Sequence, residues 1–98
     1  MGASPQAQYT IIAEASSQSK KQGFIDVRMK GGDNYKSIDV LYSTDKDLEM
    51  DKWTHKMYTK KTFSLGKFTP PACLYIKLIA YGKDDSSYES IINSIGVQ

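Results

Sequence analysis

The chain holds one histidine, His55, and one cysteine, Cys73. Nucleophilic catalysis through a Ser-His-Asp or Cys-His set needs its members brought within hydrogen-bond reach of one another. Nothing next to His55 in sequence supplies such a set. It sits in the run Trp53-Thr54-His55-Lys56-Met57-Tyr58, where a strand would put it on the face of Trp53 and Met57 as a packed or half-exposed side chain. Cys73 has no histidine near it and reads as a small buried hydrophobe rather than a reactive thiol. With one cysteine, no internal disulfide can form, so the core alone must supply stability.

Carboxylates cluster in two places. Asp45, Asp47, Glu49 and Asp51 recur at every second position, a spacing that could wrap a hard cation, and Asp84-Asp85 form a pair. The first run lacks the glycine and terminal glutamate of an EF-hand loop, and Lys46 and Lys52 compete for its charge. A solvated acidic loop is the favoured reading; the four acids are a weak metal candidate, and no metal or other cofactor is expected. Glycosidase chemistry would need two carboxylates about 5–10 Å apart across a cleft, which a domain this small offers poorly. Neither a G-x-x-x-x-G-K nor a G-x-G-x-x-G phosphate loop occurs. These absences argue against an enzyme.

The remaining chemistry is aromatic. Seven tyrosines and one tryptophan are many for 98 residues. Trp53, Tyr58, Tyr75 and Tyr81 are the candidate binding residues. Exposed on a sheet they could stack on sugar rings or anchor a protein interface; as cross-strand partners they would simply stabilise the sheet, which is the favoured role. Lys52, Lys56, Lys60, Lys61 and Lys67 surround Trp53 and Tyr58 and read as edge lysines that block sheet-to-sheet aggregation. A net charge of +2 is too small to imply nucleic acid, and no nucleic-acid partner is expected.

The elements that must position these residues are strands. In Phe24–Lys30, Ile25, Val27 and Met29 alternate with Asp26, Arg28 and Lys30, the period of a half-buried strand. Tyr35–Ser43 repeats the pattern with Ile38, Val40 and Tyr42. Gly31-Gly32-Asp33-Asn34 between them tolerates positive φ and predicts a tight hairpin turn. Further strands are expected over residues 9–15, 52–60, 62–65, 73–81 and 87–97, with loops at residues 16–23, 44–51 and 82–86. The Ile91-Ile92 pair breaks the alternation and predicts a bulge or an edge position. The expected core is Ile11, Ile25, Val27, Met29, Ile38, Val40, Tyr42, Phe63, Leu65, Leu74, Ile76, Leu78 and Ala80. About seven short strands separated by turn signals make an all-β, antiparallel sandwich.

At 98 residues there is room for one domain, burying about 60–65% of its unfolded surface. Residues 8–98 are assigned to it, and residues 1–7 to a flexible tail or cloning remnant. The longest apolar stretches fall far short of the ~18 residues of a membrane span, so none is expected. No signal-peptide apolar region opens the sequence.

Phe68-Thr69-Pro70, followed by Leu74-Tyr75-Ile76-Lys77-Leu78-Ile79-Ala80, resembles fibronectin type III domains. These carry an apolar residue, a proline two residues on, and then a strand ending in an inward Ala. The Tyr81-to-Ser90 stretch resembles that family's last hairpin and its closing Ser, and Ile38-Asp39-Val40-Leu41-Tyr42-Ser43-Thr44-Asp45 its third strand. The order of strands agrees over about residues 8–97. Two positions depart from the pattern. Leu74 stands where the family's corner Tyr is usual, with Tyr75 one place off and facing the other way. Met29 stands where the family carries a core Trp. The resemblance implies a non-catalytic interaction, adhesion or spacer module within a larger extracellular or virion-surface protein, with an unidentified protein partner. The alternative is a carbohydrate-binding module using the exposed aromatics.

Overall fold

The computed structural model describes residues 11–15, 24–31, 35–69, 72–83 and 86–97. Among these residues eight strands follow one another: β1 (Ile12–Ala15), β2 (Phe24–Lys30), β3 (Tyr35–Ser43), β4 (Thr54–Tyr58), β5 (Thr62–Lys67), β6 (Ala72–Gly82), β7 (Ser87–Glu89) and β8 (Asn93–Val97). The one helical element among the described residues is a single 3-10 turn, Met50–Lys52. All pairings among the described residues are antiparallel. One sheet has the order β1-β2-β5; the other runs β4-β3-β6-β7, with β8 also on β6.

The chain is therefore all-β with two antiparallel sheets. Alternation drives the layering. In β6 every even-numbered residue from Leu74 to Ala80 is fully buried while its odd-numbered neighbours are half-exposed. β2 and β3 do the same, which leaves one apolar face on each sheet to be removed from water. The two faces meet in a single cluster that contains every core residue expected from the sequence, together with Ala13 and Ile95. Tyr42 closes one end of it, edge-on to the half-buried Phe68 with ring centroids 6.2 Å apart.

Eight strands are found rather than seven because the last expected strand is interrupted. Ile79 pairs with Glu89 but Ile76 pairs with Asn93, so one extra residue is inserted opposite β6 between β7 and β8. This is the irregularity the Ile91-Ile92 pair predicted, and it leaves Ile91 76% exposed. Ser90 makes the bulge tolerable. Its amide donates to the Leu78 carbonyl, its hydroxyl accepts the Leu78 amide at 2.8 Å, and that hydroxyl donates in turn to the Ile91 carbonyl. A buried side chain thus takes over a hydrogen bond the ladder would otherwise lose.

A second bulge lies in the smaller sheet. The register between β2 and β5 shifts at Ile25/Asp26, and Gly66 opposite has φ +97°. A Cβ there would meet nothing, so the backbone conformation rather than crowding requires glycine. This bulge carries β5 two residues past its expected end. Gly31 also has positive φ, as the turn reading required; Gly32, Asp33 and Asn34 lie outside the described residues. So do Tyr9 and Thr10 of the first expected strand, the polar residues 16–23, Pro70, the Asp84-Asp85 pair and the tail at residues 1–7.

Candidate interaction face

The outward side of the larger sheet gathers most of the chemically interesting side chains. Registers across β4, β3, β6 and β7 define its rows. Met57, Asp39, Ile79 and Glu89 form one row; His55, Leu41 and Lys77 the next; Ser43, Tyr75 and Ser94 a third; Ser37, Tyr81 and Ser87 a fourth. Residues diagonal across strands are close enough for long side chains to touch. Leu41 is diagonal to Ile79 on β6, and exposed Met57 stands on β4 beyond the His55–Asp39 contact, so three strands each contribute one apolar side chain to this face. Met57 is 65% exposed, and Leu41 and Ile79 are half-buried.

Each carboxylate in these rows has a close polar neighbour. Lys77 Nζ lies 2.9 Å from Glu89 Oε1. Asp39, whose side chain is only 17% exposed, has His55 Nε2 3.4 Å away on one diagonal and accepts the Tyr81 hydroxyl on the other. That hydrogen bond, with the charge of Asp39, raises the Tyr81 phenol above its ordinary value. Tyr75 is raised as well, first by the Cys73 thiol against its hydroxyl. Cys73 is thus half-buried on the outward face, not in the core; strand alternation puts it with Tyr75 and Lys77.

The four aromatic candidates separate. Tyr75 and Tyr81 stand outward and half-exposed, as expected. Tyr58 pairs with Ile38, whose side chain is in the core, and therefore faces inward. It stacks on Phe63 at 4.6 Å and 14°, and its hydroxyl donates to the Ser64 carbonyl across the open side between β4 and β5. Burial raises its phenol. Trp53 presents no ring to solvent. It is 7% exposed, lies apart from the central core, and its Nε1–H donates to the Leu48 carbonyl at 2.9 Å. The cause is local: the 3-10 turn ends at Lys52, so Trp53 precedes the strand instead of joining its alternation, and it pins the acidic loop.

That loop is organised by its own backbone. The Asp45 amide donates to Ser43 Oγ, the Asp47 amide to Asp45 Oδ1, and the Lys52 and Trp53 amides close the 3-10 turn on Glu49 and Met50. Asp45, Asp47, Glu49 and Asp51 are all exposed. Among the described residues no three His, Cys, Asp or Glu side chains converge as a metal-binding group. His55 and Cys73 are separated by β3 and offset by four positions, hence by more than about 10 Å.

Sequence reasoning named Tyr75 and Tyr81 but passed over Asp39, Leu41, Met57, Lys77 and Ile79. The signal was present in the odd-numbered positions of β3 and β6. Only the strand order, which joins β4 to β3 and β3 to β6, turns them into one face. No helix among the described residues is long and apolar enough to cross a membrane. The chain matches no family model, no curated protein and no solved structure.

Proposed function

We propose that this is a non-catalytic protein-interaction module, a divergent fibronectin-III-like sandwich that works through the outward face of its larger sheet. The observation that carries the reading is that Leu41, Ile79 and exposed Met57 stand on one outward face with Tyr75 and Tyr81. Met and aromatic residues are enriched at the centres of protein interfaces, and a grouped apolar patch on a solvent face marks an interaction site. Both carboxylates in the patch have polar partners there, Glu89 the Lys77 ammonium and Asp39 the His55 ring and Tyr81 hydroxyl, so a partner could cover them without leaving either bare. The separation of His55 from Cys73 supports the non-catalytic part.

Strand order supports the family reading. In constant-type immunoglobulin domains the fourth strand joins the first sheet, giving four strands and three. Here β4 pairs with β3, leaving three strands in the first sheet. The resemblance implies a setting in a larger extracellular or virion-surface chain. The carbohydrate alternative now rests on Tyr75 and Tyr81 alone, and six residues of strand put them about 20 Å apart.

The test is site-specific photocrosslinking in the domain's native setting. A photoreactive residue at Met57 should capture a defined protein, while one at exposed Thr62 on the smaller sheet should not. Equal yields from both positions, or no protein adduct from Met57, would sink the proposal.

A further inference from the structure

Each sheet edge exposes unpaired backbone groups that another strand could use, and natural sheets block such edges with bulges, caps or covering groups. Three edges here are blocked by identifiable devices. The outer edge of β1 is capped where the Ala13 amide donates to Asn93 Oδ1 at 2.9 Å. The β5 edge is bulged at Gly66, and the Tyr58 hydroxyl takes up its Ser64 carbonyl. The β7–β8 edge is broken by the Ser90–Ile92 bulge.

Among the described residues β4 has none of these. Its five residues pair with β3 in unbroken register from Ile38↔Tyr58 to Tyr42↔Thr54. It contains no proline or glycine, and Thr54, His55, Lys56 and Met57 are all exposed. Its one gatekeeper is Lys56, whose ammonium lies 5.9 Å from the Tyr42 ring centre and bonds the Tyr42 hydroxyl, held along the sandwich rim. Lys52 and Lys60, both exposed, stand just before and after the strand. Among the described residues none of these three lysines has a carboxylate partner. The edge is thus regular and extended, positive at Lys56 and Lys60, with Lys52 bordering the acidic loop at its start.

We infer that β4 is a strand-addition site for an extended acidic peptide segment of a partner protein. This rests on the interaction-module reading and names the partner's chemistry. The added strand takes its affinity from main-chain hydrogen bonds to the outer side of β4. Its selectivity comes from carboxylates set against Lys52, Lys56 and Lys60. An apolar side chain on the opposite face of the added strand would lie beside Met57, at the border of the Leu41–Ile79 patch.

The probe is a peptide of about eight residues alternating Glu and Val, titrated into isotope-labelled domain and followed by amide NMR. Two control peptides accompany it, one with Lys for Glu and one with a central Pro, which cannot donate to a ladder. The expected result is shifts and slowed amide exchange concentrated over residues 54–58 with the acidic peptide, and neither with the controls. Lys56→Glu should weaken binding about three- to tenfold, and added salt should do likewise. Lys56 is exposed, so an unchanged amide spectrum elsewhere will show that the variant folds. Shifts confined to Leu41, Tyr75 and Ile79 would overturn the edge site while leaving the interaction face standing. Equal binding by the acidic and proline peptides, or none by the acidic one, would overturn strand addition.

Discussion

Ser90→Ala isolates the bulge that divides the last edge of the sandwich. The substitution deletes one oxygen from a buried side chain and leaves the Leu78 amide, in a central strand, without its 2.8 Å acceptor. Removing one partner of a buried pair costs the desolvation of the other, about 1–3 kcal/mol, whereas removing both would cost little. The backbone bond from the Ser90 amide to the Leu78 carbonyl survives, so the strand keeps its place and the loss is confined to the orphaned donor. For a domain of this size each kcal/mol lowers the thermal midpoint by about 4–8 °C. Urea unfolding should show a lower midpoint with unchanged slope, and the Leu78 amide should exchange about tenfold faster or more. Ser94→Ala, an exposed site on β8, is the control and should stay within about 0.5 kcal/mol of the parent. If Ser90→Ala costs no more than Ser94→Ala, the hydroxyl is not holding the ladder and the account of the bulge is wrong.

Val40 is fully buried between Leu78 and Lys56 on the central strand of the larger sheet, so Val40→Asp should abolish cooperative unfolding by burying an unpaired charge; a retained cooperative melt would contradict the sheet assignment. Trp53→Phe removes the indole donor to Leu48 and should cost about 1 kcal/mol, with amide shifts concentrated over residues 44–52; shifts spread through the central core would mean that Trp53 packs there instead. Glu14 accepts two hydrogen bonds from Arg28 and titrates below its ordinary value, chiefly because of that side-chain bond. Since the folded-state pKa is the lower one, the pair's contribution is present above the unfolded Glu pKa of about 4.3 and fades as pH falls through the depressed value. Carboxyl NMR titration should find Glu14 returned to its ordinary range in Arg28→Ala, and an unchanged titration would refute the pairing.

The two strands read from strict alternation, Phe24–Lys30 and Tyr35–Ser43, begin and end where the sequence put them. Polar and apolar residues alternate from Ile25 to Lys30 and from Ser37 to Val40, with Leu41 the exception on the outward side, which leaves one register able to bury the apolar set. β6 gains one residue at each end, since Ala72 and Gly82 extend a ladder whose limits are set by its partners rather than by its own side chains. Trp53 was misplaced because alternation over Trp53, His55 and Met57 looks unbroken in sequence. The 3-10 turn that detaches Trp53 is held by backbone bonds at Glu49 and Met50, which no periodicity reports. The interaction face was legible residue by residue and illegible as a face. Nothing in the sequence states that Met57, Asp39 and Ile79 fall in one row; that follows from β4 joining β3, a pairing decided by the whole fold.

The central claim is that the outward face of the larger sheet serves binding and not folding. Leu41→Lys/Ile79→Lys tests it most directly, with urea unfolding and photocrosslinking from Met57 measured on the same preparation. Both side chains are half-buried and outside the core cluster, so stability should fall by about 1–3 kcal/mol with a cooperative transition retained while the protein adduct disappears. A double variant that remains stable and still captures the same partner would contradict the account.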